Sequence, residues 1–163
     1  PSDVTGLIGQ YAQGNEPSHH ISYLYNYCGY PWQTQYYTRK IMDEFFNSGR
    51  EGLCGNEDCG QMSAWYILSA TGIYQVAPGE PVWTIGRPLF KKVEMEVGPG
   101  RTFTVLTLNN SRRNRYVKEI KLNGRTRSDF FLNHREIMNG GTLEITMGPE
   151  PGLNGSQNPD LIQ

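Results

Sequence analysis

Gly52-Leu53-Cys54-Gly55-Asn56-Glu57-Asp58-Cys59-Gly60-Gln61-Met62-Ser63-Ala64-Trp65-Tyr66 begins as a glycine-punctuated loop and ends as an apolar helix. Asn56, Glu57 and Asp58 stand in a row between Gly55 and Gly60, which let the backbone take unusual dihedrals. A carboxylate pair on a tight loop that opens a helix is aimed by a rigid element. It also lies close to helix N-terminal amides, which favour negative charge. The plain alternative is a capped helix start, because Asn, Asp and other acidic residues are ordinary there. A second cluster tips the reading toward chemistry: Gly14-Asn15-Glu16-Pro17-Ser18-His19-His20 repeats the layout of glycine, amide and carboxylate ahead of a helix.

Outward from these clusters the spacing predicts three helices. Pro17 suits a first helical position; Ile21, Leu24, Tyr25 and Cys28 recur at helical spacing, and Gly29 is a stop. Pro31 opens a second helix with Tyr37, Ile41, Met42 and Phe45 as its buried stripe, ending near Asn47-Ser48-Gly49. The third runs from about Cys59 to Ala70, and Gly72 ends it. It carries hardly a charge, so burial on most sides is expected. Trp65 and Tyr66 read as its core residues; Trp32 and Tyr30, on the inter-helix loop, are the better sugar-stacking candidates.

At Pro78-Gly79-Glu80-Pro81 the period changes. Val82–Ile85, an alternating stretch from Lys91 to Val97, Phe103 to Leu108, Val117 to Leu122, Phe130–Leu132 and Leu143–Met147 read as strands. Asn123-Gly124 marks a hairpin. The fold class is therefore α+β. Helices occupy 1–77, an antiparallel sheet or small sandwich 78–150, and a tail rich in Gly, Pro and Asn 151–163.

Composition narrows the function classes. A net charge of −1, with no basic run beyond Arg112-Arg113 and the nearby Arg115, argues against nucleic acid. No apolar run approaches the roughly 18 residues of a membrane span. Three cysteines, Cys28, Cys54 and Cys59, leave at least one unpaired within the chain; Cys54 and Cys59 could bridge the carboxylate loop. No four-ligand zinc spacing is present, and the Gly-x-Ser-x-Gly nucleophile elbow is absent. The chain opens Pro-Ser-Asp without Met and reads as a fragment.

Both polar clusters, together with Gly72-Ile73-Tyr74-Gln75-Val76-Ala77-Pro78-Gly79 and Ile85-Gly86-Arg87-Pro88-Leu89-Phe90, resemble the bacterial α-mannosidases of glycoside hydrolase family 92. The resemblance spans residues ~10 to ~150. It implies calcium-dependent, exo-acting removal of terminal α-mannose with inversion, from mannosides or N-glycans. It further implies that this chain is the C-terminal portion of a secreted, periplasmic or cell-surface parent, comprising the last helices of a catalytic (α/α)6 barrel and its trailing strands. The general acid, a glutamate, then lies upstream, in the missing N-terminal part of the same protein. Inverting hydrolysis places acid and base about 6.5–9.5 Å apart, with a water between. By match to the motif, Asp58 is the base. Asn56 or Glu57 helps to hold the water or the base, one of them pointing into the cleft and the other away. Asn15 and Glu16 are assigned to metal or sugar contact, since calcium takes hard oxygen ligands. His19 or His20 is assigned to a mannose hydroxyl.

Taken alone, the residues allow Glu16 and Asp58 themselves to be the acid–base pair; the resemblance argues against this. A non-enzyme alternative is a carbohydrate-binding or structural module whose working part is the β region. The strands lack a cluster of exposed aromatics, which counts against it.

Overall fold

The computed structural model describes residues 4–152. The expected tail lies outside the described residues from 153 onward. A short hairpin comes first, β1 (Leu7–Ile8) against β2 (Tyr11–Ala12). The expected first helix is broken. Two 3-10 turns, Glu16–Ser18 and Ile21–Tyr23, lead into the single turn of α1 (Leu24–Tyr27). The face that turns inward is polar: His19, Ser22 and Asn26 are buried, while Ile21 and Leu24 are exposed. The three-residue step from His19 to Ser22 suits 3-10 winding. Asn26 Nδ2 donates to the Ile85 carbonyl at 2.8 Å, and Tyr23 Oη donates to Ser69 Oγ at 2.8 Å. Polar anchoring rather than an apolar stripe sets the rotation of this segment.

Next comes α2 (Pro31–Phe45), which buries Ile41 and Met42 as expected but also Thr34, Gln35 and Thr38. Gln35 Oε1 accepts the Val117 backbone N–H at 2.9 Å, tying this helix to the strands that follow. Then α3 (Gln61–Thr71) starts later than Cys59, because residues 58, 59 and 60 all take left-handed backbone. Met62, Trp65 and Ser69 are buried. Ile67 is 60% exposed, so the outer face of α3 is open rather than covered all round. Among the described residues there are too few helices to cover it.

Gly72 closes α3 as anticipated. Its φ is +91°, and its N–H donates to the carbonyls of Leu68 and Ser69. A Cβ here would stand 2.5 Å from Pro88 Cγ. Gly72→Ala combines left-handed strain with overpacking. In the full-length protein it is expected to cost about 2–4 kcal/mol, read as a lower urea midpoint at unchanged m.

The strands are β3 (Ile73–Tyr74), β4 (Val82–Ile85), β5 (Lys92–Gly98), β6 (Arg101–Leu108), β7 (Tyr116–Leu122), β8 (Arg125–Arg127) and β9 (Phe131–Asn133). A short α4 (His134–Met138) with an Asn133–Glu136 capping box precedes β10 (Gly141–Gly148). One sheet runs β5-β6-β10-β7-β8 and a second β3-β4-β9. Asn123 and Gly124, both at positive φ, turn β7 into β8. The expectation of an antiparallel sheet needs one correction: β10 pairs with β6 in parallel, from Gly141↔Phe103 to Thr146↔Leu108. A parallel neighbour requires a crossover, and the excursion through β7, β8, β9 and α4 supplies it. Phe103, Val105, Ile120, Leu143 and Ile145 form the core of this part; Tyr23, Ile41, Trp65 and Tyr74 belong to the core around the helices. No helix among the described residues is long and apolar enough to cross a membrane.

Candidate active site

The two polar clusters meet because both contain a glycine at the point of contact. A Cβ built on Gly55 would stand 2.7 Å from the Gly14 carbonyl oxygen and 2.8 Å from Gly14 Cα. The chain entering the Asn15–Glu16 turn and the chain entering the Asn56–Asp58 loop therefore lie backbone against backbone at Gly14 and Gly55. The hairpin holds the first of them in place: Gln13 N–H donates to Gly6 O at 2.9 Å and Gly14 N–H to Thr5 O at 3.0 Å. Gly55→Ala is expected to push the two turns apart and to destabilise the full-length protein by about 1–3 kcal/mol through overpacking. The midpoint of urea unfolding would measure it.

Within the loop the three polar residues divide. Glu57 is turned onto α3, where one carboxylate oxygen accepts the Ser63 N–H at 2.9 Å and the other the Ser63 hydroxyl at 2.7 Å. These two donors hold its carboxyl below the usual carboxylate range. Glu57 therefore fills the helix-start role that the plain reading gave to the pair, and it lines a cavity of 510 Å³ with Phe46, Arg50 and Tyr66. The structure places Glu57 as a cap on the start of α3.

Asp58 is different. It is exposed, its φ is +49°, and Cys59 follows at +58°. Consecutive non-glycine residues in this region store strain, and such strain collects at functional sites. Asn56 is exposed beside it. Cys54 and Cys59 are free, as is Cys28, so the bridge over this loop is not formed.

His19 is also recast. Its Nε2 lies 2.9 Å from the Gln13 carbonyl oxygen, which can only accept, so Nε2 carries the proton. Nδ1 then accepts from the Gln61 side-chain amide at 3.3 Å. The backbone carbonyl of His19 takes the Trp65 indole N–H at 2.9 Å. With both ring nitrogens engaged and 2% exposure, His19 is a bolt between the first cluster and α3. His20 is half-buried and starts the second 3-10 turn. Gln13, fully buried, completes the bolt: Tyr11 Oη donates to its Oε1, and its Nε2 lies 3.7 Å from Met62 Sδ. Sequence reasoning passed over Gln13 because nothing local marks a glutamine as a tertiary anchor.

Burial pushes the His19 imidazole below its ordinary 6.5, against the smaller opposite pulls of its bond to Gln13 and of the Glu16 and Asp58 carboxylates. The folded state takes this proton later than the unfolded chain does. Its contribution to stability is full above about pH 6.5 and falls as pH drops toward the folded value. Thermal unfolding of the full-length protein from pH 7 to 5 is expected to show this loss, and His19→Gln to flatten it.

Asn15 has extended backbone and makes no side-chain cap, and Glu16 is exposed. Their oxygens suit a hard cation in type. Among the described residues, however, no three His, Cys, Asp or Glu side chains converge as a metal cluster. Two side chains of this kind supply part of the six to eight oxygens that calcium takes.

Comparison with known proteins completes the reading. Residues 1–149 match the glycosyl hydrolase family 92 catalytic domain. An uncharacterized secreted glycosidase of Arthroderma benhamiae is 32% identical over 151 residues, covering 91% of this chain and 20% of its own length. The structure superposes with a TM-score of 0.88 and 39% identity on the Bacteroides thetaiotaomicron family 92 α-mannosidase solved with mannoimidazole, covering 93% of this chain and 20% of that one. A second Bacteroides thetaiotaomicron protein, described as a family 92 inverting mannosidase, gives 0.84 at 45% identity over 93% of this chain and 21% of its own. The chain thus spans about a fifth of the relatives it matches. With a match over nearly its whole length and the two polar turns locked together, this chain belongs to glycosyl hydrolase family 92.

Proposed function

We propose that this chain is the C-terminal part of an inverting exo-α-mannosidase that removes terminal α-mannose from mannosides or N-glycans with calcium. The observation that carries the reading is the Gly14–Gly55 contact. It brings the chain just before Asn15 and Glu16, the candidates for metal and sugar contact, against the loop that carries Asp58, whose φ is +49°. In support, one relative is described as an inverting mannosidase and another was solved with mannoimidazole.

In this reading the helices up to residue 77 are the last of an (α/α)6 barrel, and 78–150 is the β region appended to it. The exposed apolar side chains Ile21, Leu24, Tyr36 and Ile67 are where earlier helices would pack. Asp58 takes a proton from water as the water oxygen bonds to the anomeric carbon. The C1–O bond to the leaving group breaks, and an upstream glutamic acid protonates the departing oxygen. Attack from the face opposite the leaving group inverts the configuration. Asn56 orients the water or the base. Asn15 and Glu16 supply two oxygens toward calcium, which when bound would hold sugar hydroxyls. His20, at the start of the second 3-10 turn, remains the histidine available to a mannose hydroxyl.

The test is hydrolysis of an aryl α-mannoside by the full-length protein, followed by NMR. β-Mannose as the first product, loss of turnover with chelator, and a higher calcium requirement in Glu16→Gln are expected. α-Mannose as the first product would exclude inversion, and chelator-resistant turnover would remove the metal role.

A further inference from the structure

A second cavity, of 780 Å³, shares no lining residue with the two polar turns. It lies between α2, the strap of residues 86–91 and the loop 109–115. Arg39 and Lys40 line it from the helix, Arg87 and Lys91 from the strap, and Arg112 and Arg115 from the loop. Six of the chain's 15 Lys and Arg residues therefore face one space in a protein of net charge −1. Two acids share the lining, and both are engaged: Asp43 with Arg39 at 2.8 Å and Glu44 with Lys40 at 3.8 Å. Among the described residues, Arg87, Lys91, Arg112 and Arg115 form no salt bridge.

Arg87 is the anomaly. It is only 6% exposed, its Nε has no partner, and its guanidinium donates one long bond, Nη2 to Ser111 O at 3.3 Å. A buried guanidinium without a counter-charge is costly. Burial, with Arg39 and Arg115 nearby, lowers its pKa to about 10, and Asp43 only partly opposes this. The loop that faces it is held firmly. Asn110 Nδ2 donates to the Pro88 and Leu89 carbonyls, each at 3.2 Å, and Asn114 Nδ2 to Asn109 O at 2.8 Å. Asn114 N–H donates to Ser111 Oγ at 3.1 Å, and Asn109 turns the chain at φ +57°. Arg112 and Arg115 are thus presented on a built scaffold, unlike a flexible lysine patch.

We propose that this cavity is an oxyanion-binding site, in which Arg87, Lys91, Arg112 and Arg115 receive a phosphate or carboxylate group. Planar guanidinium forks match such groups through paired charge-assisted hydrogen bonds. The anion has two possible sources, an exchangeable ligand or an acidic side chain from the rest of the full-length protein.

Calorimetric titration of the full-length protein with inorganic phosphate at low salt tests the site. If the ligand is exchangeable, phosphate binds saturably. Arg112→Ala with Arg115→Ala then weakens it roughly tenfold to hundredfold, and Lys91→Ala weakens it less. If the anion is internal, phosphate does not bind, but the double alanine variant unfolds at a lower temperature in low salt. That deficit fades at high salt, and Arg112→Lys with Arg115→Lys restores part of it. Both loop arginines are exposed, so the variants keep the fold. No phosphate binding together with no salt-dependent loss of stability would overturn the proposal.

Discussion

Asp58→Asn in the full-length enzyme is expected to lower kcat on an aryl α-mannoside by about 10²- to 10⁴-fold, the usual contribution of a general base. Asparagine is nearly the same shape and is among the residues most tolerant of left-handed backbone. The φ of +49° at this position therefore survives the substitution, and what is lost, in the proposed mechanism, is the ability to take a proton from water. KM should change little, because the interaction is made in the transition state. Glu57→Ala is the contrast. It removes the acceptor for the Ser63 N–H and hydroxyl, so it should lower the unfolding temperature while most of kcat remains. Equal loss of kcat in the two variants would mean that the loop acts only as a structural unit. An Asp58→Asn enzyme that keeps more than about a tenth of its activity would remove Asp58 from the chemistry.

Trp65→Ala should be the most destabilising substitution in the helical part, at about 3–5 kcal/mol. The indole is fully buried, lies parallel to Phe46 with ring centroids 5.7 Å apart, and donates to the His19 carbonyl. Deleting it leaves a cavity and frees the carbonyl that joins the first cluster to α3. Trp65→Phe keeps most of the ring volume and loses the donor, so a cost of roughly 1–3 kcal/mol is expected for the unsatisfied carbonyl. Urea unfolding of the full-length protein separates the two, through the midpoint at constant m. A Trp65→Ala penalty below about 1 kcal/mol would show that α3 is not packed as described.

Much of the local architecture was legible in the chain. Pro31 opened a helix, Gly72 closed one, and Asn123-Gly124 turned a hairpin, each for a reason contained in one or two residues. The core reading of Trp65 rested on its place in a chargeless helical run, and burial bears it out. Elements set by distant partners were not legible. The first helix broke into 3-10 turns because Tyr23 and Asn26 bond to Ser69 and Ile85, 46 and 59 residues away. β6 and β10 pair in parallel although 32 residues separate their near ends, and alternation within a strand carries no information about its neighbour's direction.

The same division holds at the candidate site. By itself the sequence determined which residues could do chemistry: two glycine-flanked clusters of amide and carboxylate, whose length and order identify the family. It determined as well that the loop backbone could take unusual dihedrals, because glycines flank the polar residues. Tertiary structure alone decided that Gly55 meets Gly14, that Glu57 caps α3 while Asp58 stands exposed on a strained loop, and that His19 is held from both sides. It also gathered six cations, scattered from position 39 to position 115, around one cavity. The physical reason is common to all of these. A side chain's charge and size are properties of the residue, but its hydrogen-bond partner and the dielectric around it belong to whatever the fold brings within a few ångströms.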